Sequence, residues 1–365
     1  HLCDRRQRQM CIRDRNKLVC EERNMKEKIL LGGYTKRVSK GVYSVLLDTK
    51  AAELSSLNEV AAIQNPTYIT LDEKGHLYTC AADSNGGGIA AFDFDGETAT
   101  HLGNVTTTGA PLCYVAVDEA RQLVYGANYH LGEVRVYKIQ ANGSLRLTDT
   151  VKHTGSGPRP EQASSHVHYS DLTPDGRLVT CDLGTDEVTV YDVIGEGKLN
   201  IATIYRAEKG MGARHITFHP NGKIAYLVGE LNSTIEVLSY NEEKGRFARL
   251  QTISTLPEDY HGANGVAAIR ISSDGKFLYT SNRGHDSLTT YKVSPLGTKL
   301  ETIGWTNTEG HIPRDFNFNK TEDYIIVAHQ ESDNLSLFLR DKKTGTLTLE
   351  QKDFYAPEIT CVLPL

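Results

Sequence analysis

Arginine side chains recur in this sequence at positions where predicted strands begin or end, and their chemistry indicates an anionic ligand. Guanidinium groups match pairs of phosphate or carboxylate oxygens and keep their charge at any physiological pH. Arginines that converge on one site therefore predict that a small anionic molecule binds there. The candidates are Arg214, Arg270, Arg283 and Arg314.

A second group that could do chemistry is the His166-Val-His168 pair. Alternation along a strand would place both imidazoles on the same side, as a metal site requires. Glu230 or Asp182 could supply a third ligand, but no HExxH or Cys/His pattern supports one. The sequence therefore predicts a site that works without a metal.

Tight turns between apolar segments identify the elements that must position these side chains. Turns such as Asp175-Gly176, Asn221-Gly222 and Asp274-Gly275 tolerate positive φ and are typical of β-hairpins. The aligned turn positions 75, 121, 176, 222, 275 and 322 lie 46 to 55 residues apart. This is about the length of a four-stranded propeller blade.

A further strand with alternating apolar residues recurs seven times and completes the repeat. Its copies are Val42–Leu47, Ile89–Phe94, Val134–Tyr137, Val188–Tyr191, Ile235–Leu238, Leu288–Tyr291 and Leu335–Phe338. The pattern predicts an all-β fold, a seven-bladed β-propeller with four antiparallel strands in each blade. No convincing amphipathic helix is present, which excludes helical solenoids and TIM barrels.

The two ends of the chain predict how the ring closes. The first copy begins at Ile29–Leu31 and lacks an innermost strand, whereas Pro357–Val362 resembles the innermost-strand segments at Pro66 and Pro111. We expect the C-terminal strand to pair with the N-terminal blade, because an open ring would leave bare sheet edges. Residues 25–365 are expected to form this single domain.

Strand order then predicts which residues meet. In an antiparallel blade, the loop entering the innermost strand and the loop leaving the second strand lie on the same face. This face would carry a concentration of polar groups, which favours a small-ligand site at the axis of the ring. They include Asn128, Tyr129, His130, His166, His168, Asp182, Arg214, His215, Glu230, Asn232, Asn282, Arg283, His285, Arg314 and His329.

Composition argues against several classes of partner. The chain has 365 residues, 39% of them hydrophobic, and a formal net charge of −6. A nucleic acid would meet net repulsion, and no apolar run is long enough to cross a bilayer. We therefore expect neither a nucleic-acid nor a membrane partner. The sequence leaves open whether the protein is a monomer or a weak dimer.

Residues 1–24 differ from the rest and are interpreted as a non-native or disordered leader. They are rich in arginine but also contain acids, no serine and no apolar stretch, unlike export or mitochondrial signals. The cysteines beyond them lie in apolar strands and form no CxxC pair, which predicts buried free thiols and a cytoplasmic location. These cysteines are Cys80, Cys113, Cys181 and Cys361.

Several ordered segments resemble the lactonase family of seven-bladed propellers, which includes bacterial propeller-type 6-phosphogluconolactonases and carboxy-muconate lactonizing enzyme. The similarity runs from Met25 to the C-terminus. The segments begin at His168 (HYSDLTPDG), Asp182 (DLGTD), Gly212 (GARH), Glu230 (ELNS) and Asp274 (DGKFLYTSNR).

The resemblance implies hydrolysis of 6-phosphogluconolactone in the pentose phosphate pathway, without a cofactor. The family's proposed site falls on His168, Arg214, Glu230 and either Arg283 or Arg270. Opening a δ-lactone requires an activated water and donors to the developing oxyanion. The expected roles are Glu230 or His168 as general base, Arg214 as oxyanion donor, and Arg283 with Arg270 as phosphate anchors. Asn282 and His166 are expected to contact the substrate.

Two alternatives remain open at this point. A cycloisomerase, or a lactonase acting on another sugar acid or carboxylated lactone, would use the same residues. A non-catalytic binding platform is also compatible with a propeller. The polar rim of His, Arg, Asp and Asn favours small-ligand chemistry over a protein interface, which would be richer in aromatic and apolar groups.

Overall fold

The structure, a computed structural model, describes residues 26–365, and these are organised almost entirely as β-strands. The expectation for the leader at residues 1–24 concerns a segment outside the described residues. Among residues 26–365, one short 3-10 helix spans Pro160–Gln162, and no helix is long and apolar enough to span a membrane.

The strands follow one another in chain order with short connections. The first fourteen are β1 (Lys26–Gly33), β2 (Gly41–Asp48), β3 (Glu53–Ala62), β4 (Ile69–Leu71), β5 (His76–Asp83), β6 (Gly86–Phe94), β7 (Ala99–Thr107), β8 (Tyr114–Asp118), β9 (Leu123–Asn128), β10 (Glu133–Ile139), β11 (Leu145–Lys152), β12 (Val167–Leu172), β13 (Leu178–Asp182) and β14 (Glu187–Ile194). The next fourteen are β15 (Lys198–Arg206), β16 (Ala213–Phe218), β17 (Ile224–Gly229), β18 (Thr234–Asn241), β19 (Arg246–Ser254), β20 (Gly265–Ile271), β21 (Phe277–Arg283), β22 (Ser287–Val293), β23 (Leu300–Asn307), β24 (Pro313–Phe318), β25 (Tyr324–His329), β26 (Asn334–Arg340), β27 (Leu347–Tyr355) and β28 (Ile359–Pro364).

These strands form seven antiparallel four-stranded sheets, which are the blades of a propeller. Six blades are built from four consecutive strands, with β4, β8, β12, β16, β20 and β24 innermost. The remaining blade has the order β28-β1-β2-β3, so the C-terminal strand supplies its innermost position. Both the seven-bladed fold and its closure by the C-terminal strand are therefore confirmed.

Tyrosines on second strands tie neighbouring blades together. The buried hydroxyls of Tyr78, Tyr226 and Tyr279 donate to the carbonyl oxygens of Gly143, Gly297 and Gly345, over 3.2, 2.8 and 2.8 Å. Each of these glycines has positive φ and occupies the turn after the third strand of the next blade. The repeated turn glycine therefore closes a hairpin, and its carbonyl oxygen accepts a hydrogen bond from a tyrosine of the preceding blade.

A repeated β-bulge in the innermost strands determines which side chains face the axis. The register of strand pairing skips one residue in four of these strands, and in β20 it skips two, Ala267 and Ala268. A bulge leaves the extra residue unpaired and redirects its side chain. The single skipped residues are His168, Arg214, Arg314 and Thr360.

Candidate active site

The bulged residues His168, Arg214, Arg314 and Thr360 line a cavity on one face of the ring. Its volume is about 460 Å³, within the range of small-molecule sites. Rings from the innermost strands pack beneath it, with the centroid of Tyr114 lying 4.1 Å from that of Tyr68 and 4.6 Å from that of Tyr169. The cavity therefore has a rigid aromatic floor and a polar wall.

The charge of this wall is predominantly positive. Its basic side chains are Lys36, Arg214, Arg283 and Arg314, and its acids are Glu230 and Asp315. Such an excess in a concave, partly dehydrated site attracts anions more strongly than the same charges would on an open surface. The cavity thus suits an anionic ligand although the whole chain carries net negative charge.

Glu230 lies between two arginines. Its Oε1 is 2.9 Å from Nη2 of Arg283, and its Oε2 is 2.9 Å from Nε of Arg214. Burial alone would raise the pKa of Glu230, but the charges of Arg283 and Arg214 outweigh it and hold the pKa below its usual value. Glu230 is therefore an ionised carboxylate that orients both guanidinium groups.

Arg214 is buried, and its guanidinium group is held at the cavity wall. Its Nη1 donates to the carbonyl oxygen of Ala267 over 2.6 Å, which fixes the guanidinium plane. Its Nε is also buried and lies 2.9 Å from Oε2 of Glu230. Burial lowers the pKa of Arg214 to about 9, so the group is still protonated at neutral pH. A fixed positive charge at the cavity wall is suited to stabilising a developing oxyanion.

His168 pairs with a second histidine. Its Nδ1 lies 3.2 Å from Nε2 of His215, and both rings are buried. Burial lowers the pKa of His168 well below its usual value, and the charges of Arg214, Arg314 and Arg283 lower it further. His168 is therefore neutral at pH 7 and can accept a proton.

The structure places Arg270 outside the cavity wall. Its Nη2 lies 3.2 Å from Oδ1 of Asp315, and its side chain lines a smaller pocket further along the axis. Arg270 stands five residues before Gly275, whereas Arg214 stands eight before Gly222 and His168 eight before Gly176. It is therefore three residues deeper in its innermost strand than the residues that face the cavity.

Asn282 is likewise not part of the cavity wall. Its amide nitrogen donates to the carbonyl oxygen of Thr255 and to the hydroxyls of Ser287 and Thr289, over 3.2, 3.2 and 2.8 Å. Because successive residues of a strand point to opposite faces, Asn282 holds blade structure together while its neighbour Arg283 reaches the cavity. Sequence proximity to Arg283 alone did not distinguish these two roles.

His166 lies behind the cavity wall. Its ring stacks on that of Tyr129, with 4.4 Å between centroids, and its Nδ1 lies 2.9 Å from the carbonyl oxygen of Tyr129. The bulge between Val167 and Tyr169 interrupts the alternation that would have placed His166 beside His168. Within residues 26–365, no group of three or more His, Cys, Asp or Glu side chains could hold a metal ion.

We therefore predict that activity does not depend on a metal. Incubation with a chelator followed by gel filtration should leave kcat and KM unchanged, because the two carboxylates of the cavity, Glu230 and Asp315, are already paired with arginines. A loss of activity that a divalent cation restores would contradict this prediction.

Cys113 lines the cavity and could in principle act as a nucleophile, but its chemistry argues against it. Burial raises the pKa of its thiol to about 12, whereas the reactive form of cysteine is the thiolate. Cys113 is partly buried, and the other described cysteines, Cys80, Cys181 and Cys361, are buried; all four are free thiols.

Two basic residues of the wall were missed or undervalued by sequence reasoning. Arg314 stands eight residues before turn position 322, the same offset as His168 and Arg214 from their turns, and this offset could have ranked it above Arg270. Lys36 comes from the loop between β1 and β2. The aligned turns begin only at position 75, so none of them marks this loop. No repeat signal was available to identify it.

The chain matches the family described as "Lactonase, 7-bladed beta-propeller" over residues 28–364. It belongs to this family. A protein of Lactococcus lactis subsp. cremoris is 93% identical over 341 residues, which cover 93% of this chain and 100% of that protein. A Bacillus subtilis protein named 6-phosphogluconolactonase is 37% identical, covering 91% of this chain and 96% of its own length.

A solved member of the same fold class gives a structural comparison. The periplasmic gluconolactonase of Pseudomonas aeruginosa superimposes with a TM-score of 0.88 at 29% identity, covering 93% of this chain and 99% of the other. The lactonase propeller family, with these relatives, establishes the chain as a lactone hydrolase at the level of the family.

Proposed function

We propose that this lactonase hydrolyses 6-phosphogluconolactone to 6-phosphogluconate, the reaction of the pentose phosphate pathway. The observation that carries the proposal is a single cavity that joins a neutral buried imidazole, a fixed arginine and an excess of positive charge. The name of the Bacillus subtilis relative supports the same substrate. We place the reaction in the cytoplasm, because the four described cysteines are free thiols and thiols persist in reducing compartments.

His168 is the better candidate for the general base. Both carboxylate oxygens of Glu230 are paired with arginines, and one would have to be released before it could take a proton. His168 is neutral, has no such partner and lines the cavity. His168 accepts a proton from water as the water oxygen bonds to the acyl carbon. The ring C–O bond then breaks, and the leaving alkoxide takes a proton to become the sugar hydroxyl.

Arg214 stabilises the tetrahedral intermediate in this scheme. Its guanidinium group lines the cavity, and its positive charge would stabilise the oxyanion as charge moves from the carbonyl to the oxygen. Glu230 keeps the guanidinium in place and balances part of its charge before the substrate enters.

The histidine pair must adopt one tautomer for this reaction. If the Nδ1–H of His168 donates to Nε2 of His215, the lone pair of His168 lies on Nε2, where it can act as a base. His215 then carries its own proton on Nδ1, which has no acceptor among residues 26–365. His215 is therefore a positioning residue that selects the reactive form of His168.

Isotope labelling tests hydrolysis against the isomerase alternative. Fresh 6-phosphogluconolactone is opened in ¹⁸O-labelled water, and the product of spontaneous opening is subtracted. We expect one ¹⁸O in the new carboxylate of 6-phosphogluconate, because water attacks the acyl carbon. Enzyme-dependent rearrangement without label in the product, or label on the sugar hydroxyl, would contradict the proposed function.

A further inference from the structure

Two basic residues of the cavity have no acidic partner in the structure. Arg214 and Arg283 share Glu230, and outside the wall Arg270 is paired with Asp315. Lys36 and Arg314 form no ion pair with any carboxylate among residues 26–365; Nη1 of Arg314 donates to the amide oxygen of Gln330 over 2.9 Å. Arg214 and Arg283 thus share one negative charge, whereas Lys36 and Arg314 have no carboxylate beside them.

The two residues lie at the same end of the cavity, and both are close to the ring of Tyr34. The Nζ of Lys36 is 4.0 Å from the centroid of the Tyr34 ring, and the guanidinium carbon of Arg314 is 5.6 Å from it. A ring face attracts cations but supplies no counter-charge. An anion that enters this end therefore meets two cations held near each other.

Glu358 holds the loop that carries Lys36. Its carboxylate accepts hydrogen bonds from the consecutive backbone N–H groups of residues 36–39, over 2.9 to 3.1 Å. Within this loop Arg37 turns outward to Asp333, 2.6 Å away, while Lys36 lines the cavity. Glu358 directly precedes β28, so the strand that closes the ring also fixes the position of Lys36.

We propose that Lys36 and Arg314 form the subsite for the phosphate group of the substrate, and that Glu358 is a positioning residue for Lys36. This inference rests on the proposed function. A phosphate dianion supplies the two negative charges that this end of the cavity lacks, whereas a carboxylate supplies one. The anchor thus differs from Arg283, which is paired with Glu230, and from Arg270, which lies outside the wall.

The first test compares two substrates that differ in the phosphate group. Lys36→Met and Arg314→Met should each raise KM for 6-phosphogluconolactone about tenfold, and together about a hundredfold, because each removes one charge-assisted contact. The kcat for that substrate, and both constants for glucono-δ-lactone, should stay within about twofold. Lys40→Met is the matched control, since Lys40 belongs to the same loop but its side chain is exposed. If the variants raised KM for both lactones by the same factor, the proposed phosphate subsite would be wrong.

The second test separates this inference from the proposed function. Calorimetry measures the binding of 6-phosphogluconate and of gluconate to the wild type and to the same variants, with melting temperatures as a folding check. Either variant should weaken the binding of 6-phosphogluconate at least tenfold and leave the binding of gluconate unchanged. If the variants bind 6-phosphogluconate as tightly as the wild type, the proposed subsite is wrong, even if the enzyme opens the lactone. If the wild type binds 6-phosphogluconate through Lys36 but opens no lactone, only the proposed function is refuted.

A third variant tests the role of Glu358. Glu358→Gln keeps the size of the side chain but removes the charge that four backbone groups share, so Lys36 loses its fixed position. We expect KM for 6-phosphogluconolactone to rise as in Lys36→Met, with kcat retained, and we expect no further rise in the double variant. Additive effects of Glu358→Gln and Lys36→Met would contradict the positioning role.

Discussion

Replacing Arg214 with alanine is expected to lower kcat and kcat/KM by similar factors, on the order of 10²–10³, the cost of losing one oxyanion donor. The guanidinium group of Arg214 is fixed at the cavity wall by Ala267 and Glu230, so its charge is already in place when negative charge develops on the substrate. Steady-state kinetics on 6-phosphogluconolactone, with spontaneous opening subtracted, measure both constants.

The matched control for this change is Arg206→Ala. Arg206 pairs with Glu187 on the outer surface, where 75% of its side chain is exposed, so its removal should not change either constant. Thermal melting of Arg214→Ala is needed as well, because Arg214 also bonds to the carbonyl oxygen of Ala267 in the next blade. A variant that folds and shows only a raised KM would identify Arg214 as a ground-state anchor instead.

The second large effect concerns His168. His168→Asn should lower kcat by about 10²–10⁴, the usual contribution of a general base. Activity of the wild type requires neutral His168, so it should be present above the pKa of that group and fall as the pH drops through it. Since burial and the nearby arginines lower this pKa well below the usual value, kcat/KM should stay level from neutral pH into the acid range.

Substrate binding should shift this pH dependence in a defined direction. The acid limb of kcat/KM reports the free enzyme, and that of kcat reports the complex. A bound phosphate offsets the positive charge of the arginines that lower the pKa of His168, so the acid limb of kcat should lie at higher pH. Coincident limbs would mean that His168 does not sense the bound anion.

Glu230→Gln distinguishes the two candidates for the base. If His168 is the base, this variant keeps the acid limb of the pH profile while its rate falls, because Arg214 and Arg283 lose the carboxylate that orients them. If Glu230 is the base, the acid limb of the pH profile should be absent from Glu230→Gln. It should then be retained in His168→Asn, which would be weakly active. The shape of the pH profile, rather than the size of the loss, therefore decides the assignment.

The sequence was sufficient to predict the seven blades, their closure and the face that carries the cavity. Those features follow from a repeat of hairpin turns and from strand alternation, both of which are local signals. His168, Arg214, Glu230 and Arg283 could be placed on one face by counting strands, and all of them line the cavity.

The errors in the predicted site arise from the innermost strands. A bulge shifts the register by one residue, so simple alternation misplaces His166, whereas the bulged residue His168 lines the cavity. Arg270 lies three residues deeper in its innermost strand, where its side chain forms an ion pair with Asp315. Lys36 depends on a contact between the two ends of the chain, through Glu358, and a bond so distant in sequence leaves no local pattern.

The rate at which freshly prepared 6-phosphogluconolactone opens shows whether the protein hydrolyses this lactone at the site formed by His168 and Arg214. The reaction is followed near neutral pH by the formation of 6-phosphogluconate, with wild type and the double variant His168→Asn with Arg214→Ala compared at equal concentration. We expect an initial rate that exceeds spontaneous opening, rises in proportion to wild-type concentration and returns to the spontaneous rate in the folded double variant. A wild-type rate equal to spontaneous opening, or full activity in the double variant, would contradict this account of the site.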